Sequence, residues 1–360
     1  MRTATITRRG TYIRHLCSLG LESATIMPEI VAAAREIAGA DFGHFIWAGV
    51  DFELKSVFSE CPAAYGTLPA YDRLRRSVEV VTLIGDFAEW MTLRRQFTNS
   101  WHVDAALSQS DFFEQVLAPC DGRHFIHILA RQGGRGWGSM ILVRARGGRP
   151  FSDAEHRAVE VFGEHLGHAI RRASFAPSSF ADGLSSGILL VDWSGRIRHW
   201  SEVADRLVLQ TTDSTRDHGR SSLTLPAVLL ELVLRLRITS TGRPSGPAVK
   251  EITNRWGRFI WRAYPVEDEM GCVLHCQHQE PVEIQALSGA HMAGLGGQQQ
   301  IVAAKLACGT SYKKIAAQLN VKESTIVDCV RQIYRRLDVH GSEALARRLR
   351  AEHLRARTHP

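Results

Sequence analysis

Gly309-Thr-Ser-Tyr-Lys-Lys-Ile-Ala-Ala-Gln-Leu-Asn-Val321, then Ser324-Thr-Ile-Val-Asp-Cys-Val-Arg-Gln-Ile-Tyr-Arg-Arg-Leu-Asp-Val339, is the stretch from which this 360-residue chain is best approached. Ser311 can cap a helix in which Ile315, Ala316 and Leu319 point inward. Asn320 and Val321 make a turn, and a longer helix runs from about Glu323 to Leu337. At 100° per residue, Ile326, Val330, Ile333 and Leu337 fall within about 60° of one another. Ser324, Asp328, Arg331 and Arg335 lie opposite them. One edge is suited to burial, and the other offers hydroxyl, carboxylate and guanidinium groups. A helix that reads the major groove of DNA needs such a face. A preceding helix, marked by Leu295, Val302 and Leu306, ends at Gly309, which can adopt the left-handed cap conformation.

Charge is distributed to match. Between Pro281 and Pro360 there are twelve Lys or Arg against six Asp or Glu, a net +6 of the whole chain's +7. A near-neutral body with a basic end fits a terminal domain that meets a polyanion, with a merely solvated basic terminus as the competing reading. The length suggests two or three domains, and 44% hydrophobic with 22% charged residues describes a soluble globular protein. Seven scattered cysteines, an odd number in a chain that needs no staples, imply reduced thiols and a cytoplasmic location. No apolar run approaches the roughly 18 residues of a membrane span. Arg2, Arg8, Arg9 and Arg14 precede the first acid, Glu22, without a secretory apolar segment, and read as a basic start to the first helix.

Two stretches read as linkers, Ala173 to Gly187 and Pro281 to Gly297, the latter rich in small residues. Before the first, helical spacing at Ile30, Val31, Ala34 and Ile37 is followed by strand-like runs at Gly43–Val50 and Phe52–Phe58. A second strand pair, Arg123–Ala130 and Trp137–Arg146, flanks a turn at Gly133-Gly-Arg-Gly136. A closing helix begins at Ser152 with Glu155 at capping-box spacing, and Val159, Phe162, Leu166, Ala169 and Ile170 share its stripe. That stripe suits either a dimer seam or a cover for the sheet. Between the linkers come a hairpin, Ile188–Asp192 and Arg196–Trp200, and a short helix near Val203–Leu209. A polar loop at Thr211–Ser222 leads to a helix starting at Pro226, then strands at Trp256–Tyr264 and Gly271–Gln277.

Both segments mix a sheet with flanking helices. The first, through Phe151-Ser-Asp-Ala-Glu-His-Arg and its long amphipathic helix, resembles GAF-like sensor domains. The second, through Gly187-Ile-Leu-Leu-Val-Asp-Trp-Ser-Gly-Arg-Ile, resembles a degenerate PAS-like domain. The terminal stretch quoted above resembles the LuxR/NarL-type helix-turn-helix over about residues 293 to 349. The fold expected is therefore multidomain α+β. It comprises a GAF-like domain (1–175), a degenerate PAS-like domain (176–285) and an all-α four-helix helix-turn-helix domain (286–360).

The last resemblance implies that Val327, Asp328 and Arg331 approach DNA bases, Arg331 by two parallel hydrogen bonds to guanine. It implies phosphate contacts from Lys313, Thr325, Gln332 and Arg336, and Arg335 on the same face joins them. The sequence departs from the pattern at Gly296-Gly-Gln-Gln, which replaces Thr-Pro-Arg-Glu. Lys322 stands at the usual capping Ser, Cys329 at a frequent His, and Asp338 at a common Gly. The function implied is a signal-responsive transcription regulator that binds a two-fold symmetric duplex site as a homodimer. Double-stranded DNA is its partner, RNA polymerase is compatible as another, and no membrane is involved. A signalling adaptor with protein-binding terminal helices is the alternative.

Other constellations offer little chemistry. His124 and His127 should face opposite sides of a strand, and Cys272, Leu274 and Cys276 should alternate inward away from His275. His165 and His168, with Glu164, read as an exposed polar face. Gly134, Gly136 and Gly138 precede a strand where a phosphate loop would precede a helix, and read as a hairpin turn. No Asp-rich receiver signature, nucleophile–base pair, paired carboxylates or metal spacing is present, so no catalytic residue, metal or cofactor is expected and the chain does not read as an enzyme. Phe42, Phe45, Trp47, Trp90, Phe97 and Trp101 serve either as core or as the lining of a small-molecule pocket in the first domain.

Overall fold

The computed structural model describes residues 2–92, 98–172, 174–213, 223–266 and 271–358. The first unit comprises helices α1 (Arg2–Ser18) and α2 (Ser23–Ala38), strands β1 (Phe42–Ala48) and β2 (Leu54–Ser59), and helices α3 (Ala63–Leu74), α4 (Val78–Ile84) and α5 (Phe87–Thr92). Strands β3 (Thr98–His102), β4 (Gly122–Gln132) and β5 (Arg135–Ala145) and helices α6 (Asp153–Glu160) and α7 (Gly163–Arg171) complete it. Its antiparallel sheet has the order β2-β1-β5-β4-β3. Pleating splits each strand between two cores. Phe45, Trp47, Ile126, Ile128 and Ala130 pack beneath α2 and α7, whereas Ile46, Val57, Phe125, Leu129 and Ile141 face the opposite side.

The second unit has β6 (Phe180–Val191), β7 (Ile197–Trp200), α8 (Glu202–Thr211), α9 (Ala227–Ser240), β8 (Val249–Asn254), β9 (Gly257–Pro265) and β10 (Cys272–Pro281). Its antiparallel order, β7-β6-β10-β9-β8, reproduces that of the first sheet strand for strand. Trp261, Cys272, Leu274 and Cys276 turn inward beside Leu207, Leu229 and Leu232. The units touch through Trp47 and Trp256, whose rings meet edge to face at 5.6 Å, and through Arg255, which donates to Ser56 Oγ.

Five helices end the chain: α10 (Val282–Met292), α11 (Gly297–Ala307), α12 (Tyr312–Leu319), α13 (Glu323–Leu337) and α14 (Ser342–Thr358). The first corrects the sequence reading of a linker over Pro281–Gly297, because α10 is a buried helix that follows β10 directly. Small residues let it approach α14 closely, and a β-carbon on Gly289 would lie 2.0 Å from the Leu349 carbonyl oxygen. His353 is fully buried, with Nε2 3.1 Å from Glu280 Oε2 at the end of β10. Helix α1 packs against α2, α7, α10 and α11, with Tyr12 stacked on His291 at 4.5 Å.

Further differences are local. The closing helix of the first unit breaks at Val161, where the Phe162 N–H bonds Val159 O in a tighter turn before α7 resumes. Its apolar stripe lies against β4 and α1, so it covers the sheet and is not a free dimer seam. Gly133 and Gly134 form the β4–β5 turn with positive φ, but Gly136 and Gly138 lie within β5. There they admit Met91 and the backbone of Ile46, which a side chain would strike.

The capping box is present: Ser152 Oγ accepts from the Glu155 N–H and Glu155 Oε2 accepts from the Ser152 N–H. Arg144, itself buried, donates to Glu155 and to the carbonyls of Ala38 and Gly39 that end α2. Burial alone would raise the Glu155 pKa, but its bonds with Arg149, Ser152 and Arg144 outweigh that and hold it at about 2. A depressed carboxylate pKa contributes stability above its unfolded value, and that contribution is lost as pH falls through the folded one. Glu155→Gln should therefore lower Tm near neutrality and match the parent chain by about pH 2. Parallel Tm curves across that range would contradict this.

Candidate functional site

The cavity side of the first sheet is not closed by its helices. Helices α3, α4 and α5 and the short turns at 107–120 arch over β1, β4 and β5, leaving a chamber of about 100 Å³. Its walls are mostly aliphatic and aromatic, including Ile46, Leu68, Phe87, Phe112 and Ile141. Of the aromatic residues singled out in the sequence, Phe42, Trp90 and Trp101 line this chamber. Phe45 and Trp47 sit on the other face of β1, under α2. Strand alternation forces that split, because each is one residue removed from a cavity-facing neighbour. Phe97 lies outside the described residues.

Polar groups here are few. His127, 6% exposed, packs edge-on against Trp90 and beside Trp101 at centroid distances of 5.3 and 5.8 Å, and neither ring nitrogen has a hydrogen-bond partner. Trp101 stacks on Phe125 at 3.9 Å, and its Nε1–H is likewise buried and unpartnered. Burial, helped by His44, lowers the His127 pKa to about 3, and burial lowers that of His44 to about 4. The Ser59 hydroxyl donates to the Cys61 carbonyl, which can only accept, so His44 Nδ1 donates to Ser59 Oγ at 2.7 Å. Both imidazoles are thus neutral hydrogen-bonding groups at pH 7. The cation of the lining, Arg75, is itself buried and bonds Asp72 Oδ1 through Nε at 3.1 Å.

Sequence reasoning weighed His127 only as a metal ligand. The signal that would have found it is alternation, since Phe125, His127 and Leu129 share one strand face. His124 does point the other way, with Nε2 bonded to Gly148 O at 3.0 Å. Among the other histidines, His275 faces away from the inward Cys272 and Cys276, and His278 Nε2 lies 3.0 Å from Trp256 O. Glu164, His165 and His168 edge an open surface hollow, where Gln132 bonds His168 at 3.3 Å. Among the described residues no group of three or more His, Cys, Asp or Glu could hold a metal ion. No helix among them is long and apolar enough to cross a membrane.

A second surface is formed by α12 and α13. Ser311 Oγ accepts from the Lys314 N–H to start α12, and Asn320, with φ 53°, turns the chain into α13. Ile326, Val330, Ile333 and Leu337 are buried against the neighbouring helices. Asp328, Arg331 and Arg335 are exposed on the opposite face, with Val327 half-buried beside them. Arg331 is paired with Asp328 at 3.1 Å, an exposed i,i+3 contact that is weak enough to exchange for a ligand. Thr325, Gln332 and Arg336 lie along one flank, all exposed, and Gln332 accepts from Gln299 at 3.3 Å. Lys313 is exposed on α12. The eight residues singled out in the sequence are thus brought to one end of the chain, on two successive helices.

The departures from the motif are absorbed locally. Gly296 N–H finds Gln299 Oε1 at 3.3 Å, and Asp338 takes the left-handed cap conformation at φ 50°. Lys322 makes no side-chain cap.

No family model and no curated protein matches the chain. Among solved structures, the crystal structure of the cyanobacteriochrome TePixJ GAF domain is similar to 43% of this chain and 90% of that one, at 14% identity and a TM-score of 0.31.

Proposed function

We propose that this chain is a cytoplasmic transcription regulator, not an enzyme, whose α12–α13 unit binds DNA and whose N-terminal domain senses a small molecule. The observation that carries the reading is the two-sidedness of α13. Its apolar residues are consumed in packing, while Asp328, Arg331 and Arg335 form a continuous exposed stripe on which Asp328 and Arg331 pair only with each other. The LuxR/NarL-type resemblance of residues 309–339 supports base contacts from Val327, Asp328 and Arg331. It supports phosphate contacts from Lys313, Thr325, Gln332, Arg335 and Arg336. The GAF-like and PAS-like resemblances support a sensory role for the two α+β units. Helix α1 offers a route between them and the DNA-binding end, since it packs on α7 of the first domain and on α10 and α11.

Binding as a homodimer follows from the two-fold symmetry of duplex half-sites. Lys313, Arg335 and Arg336 from two protomers would neutralise six phosphates, giving log K against log salt a slope of about −5. Fluorescence anisotropy of the full chain on a labelled duplex at several salt concentrations measures it. A slope near zero, or no binding even at low salt, would instead favour a protein-binding adaptor.

A further inference from the structure

We infer that the chamber of the first domain takes a neutral, single-ring aromatic molecule bearing one hydroxyl, held by His127 and Trp101. This rests on, and deepens, the sensory reading above. Size comes first: a cavity of about 100 Å³ is on the scale of one ring, given that an engineered apolar cavity of about 150 Å³ admits benzene. Next come the unmet hydrogen bonds. A buried polar group without a partner is destabilising, and here two neighbouring rings carry such groups. Neutral His127 offers a lone pair and Trp101 offers an N–H. A hydroxyl is the smallest group that satisfies both, donating to the imidazole and accepting from the indole.

The apolar walls and the aromatic rings of Trp90 and Trp101 suit the ring that would carry it. Charge argues against an ionised ligand. Both imidazoles are neutral, and the Arg75 guanidinium is already paired through Nε with Asp72, so an anion would have to compete with that carboxylate for the cation of the lining.

The test uses the full chain and three probes of similar size: phenol, toluene and benzoate. Calorimetric titration should show phenol binding at least about ten-fold tighter than toluene, the worth of one to two hydrogen bonds. Benzoate should bind more weakly than phenol. His127→Phe and Trp101→Phe keep the apolar volume and should each weaken phenol about ten-fold while leaving toluene unchanged. His127→Phe should also raise the Tm of the ligand-free chain, because it removes a buried group with no partner. Toluene or benzoate binding as tightly as phenol would overturn the inference even if neither variant folds, and so would phenol affinity unmoved in folded variants. DNA binding is read separately. Phenol binding without duplex binding would sink the proposed function and leave this inference standing, and the reverse result would do the opposite.

Discussion

Replacing Arg331, Arg335 and Arg336 together by alanine should abolish the proposed duplex binding by the full chain at roughly 0.15 M salt. The expectation follows from where these guanidiniums stand: each is exposed, and among the described residues Arg331 is held by nothing but the equally exposed Asp328. Their removal empties the polar face without touching the buried one. A base-reading arginine is worth about 1–3 kcal/mol, so Arg331→Ala alone weakens a preferred site about 5- to 150-fold and relaxes choice at one base pair. Arg336→Ala weakens all duplexes alike, since a phosphate contact carries no sequence information. The triple change removes two of the three expected phosphate cations per protomer as well, and exceeds a thousand-fold loss if the three contributions add. Folding is little affected. Arg335 and Arg336 sit in the last turn of α13, where a cation favours the helix dipole by about 0.3–1 kcal/mol. An anisotropy titration paired with a thermal melt distinguishes lost binding from lost structure.

Gly289→Val should destabilise the chain by about 3 kcal/mol or more, through the junction between the two α+β units and the terminal helices. An added β-carbon would lie 2.0 Å from the Leu349 carbonyl oxygen and 2.6 Å from its carbon. Both are backbone atoms that no rotamer change can move aside. Relief requires α10 and α14 to separate, which opens the layer holding Leu287, Ala290, Leu345 and Leu349. Urea unfolding measures the loss, and limited proteolysis near 293–296 reports whether the junction has opened. Were this segment an extended linker, the substitution would have little effect.

Helices α11, α12 and α13 were legible in the sequence because each signal there is local. Ser311 caps, Gly309 and Asn320 turn, and the i, i+4, i+7, i+11 spacing from Ile326 to Leu337 marks one face. Strands β1, β2, β4 and β5 were legible for the same reason, whereas the first half of β6 was not: it begins at Phe180, within the stretch Ala173–Gly187 that reads as a linker. What escaped depends on partners distant in the chain. Strands β3 and β8 are short edge strands, Thr98–His102 and Val249–Asn254, whose polar residues give no apolar run to recognise. Helix α10 reads as a linker because Ala286, Ser288, Gly289 and Ala290 are small, and only the close approach of α14 and α1 explains why they must be.

The candidate sites divide in the same way. All but Lys313 of the residues assigned to the DNA-facing surface lie on α13, within 325–336, so the geometry of one helix gathers them. The chamber is assembled from strands and helices spanning residues 42 to 143, and which aromatics face it depends on strand register. Phe45 and Trp47 fall on the wrong side for that reason, and His127 falls on the right one.

Selection of duplexes from a random-sequence pool by the intact wild-type chain, with the triple arginine variant in parallel, is the most direct measurement. The expected result is enrichment of a motif with two inverted halves about one helical turn apart, and none by the variant. Failure of the wild type to enrich any motif, or equal enrichment by the variant, would contradict the assignment of α13 as the helix that reads DNA.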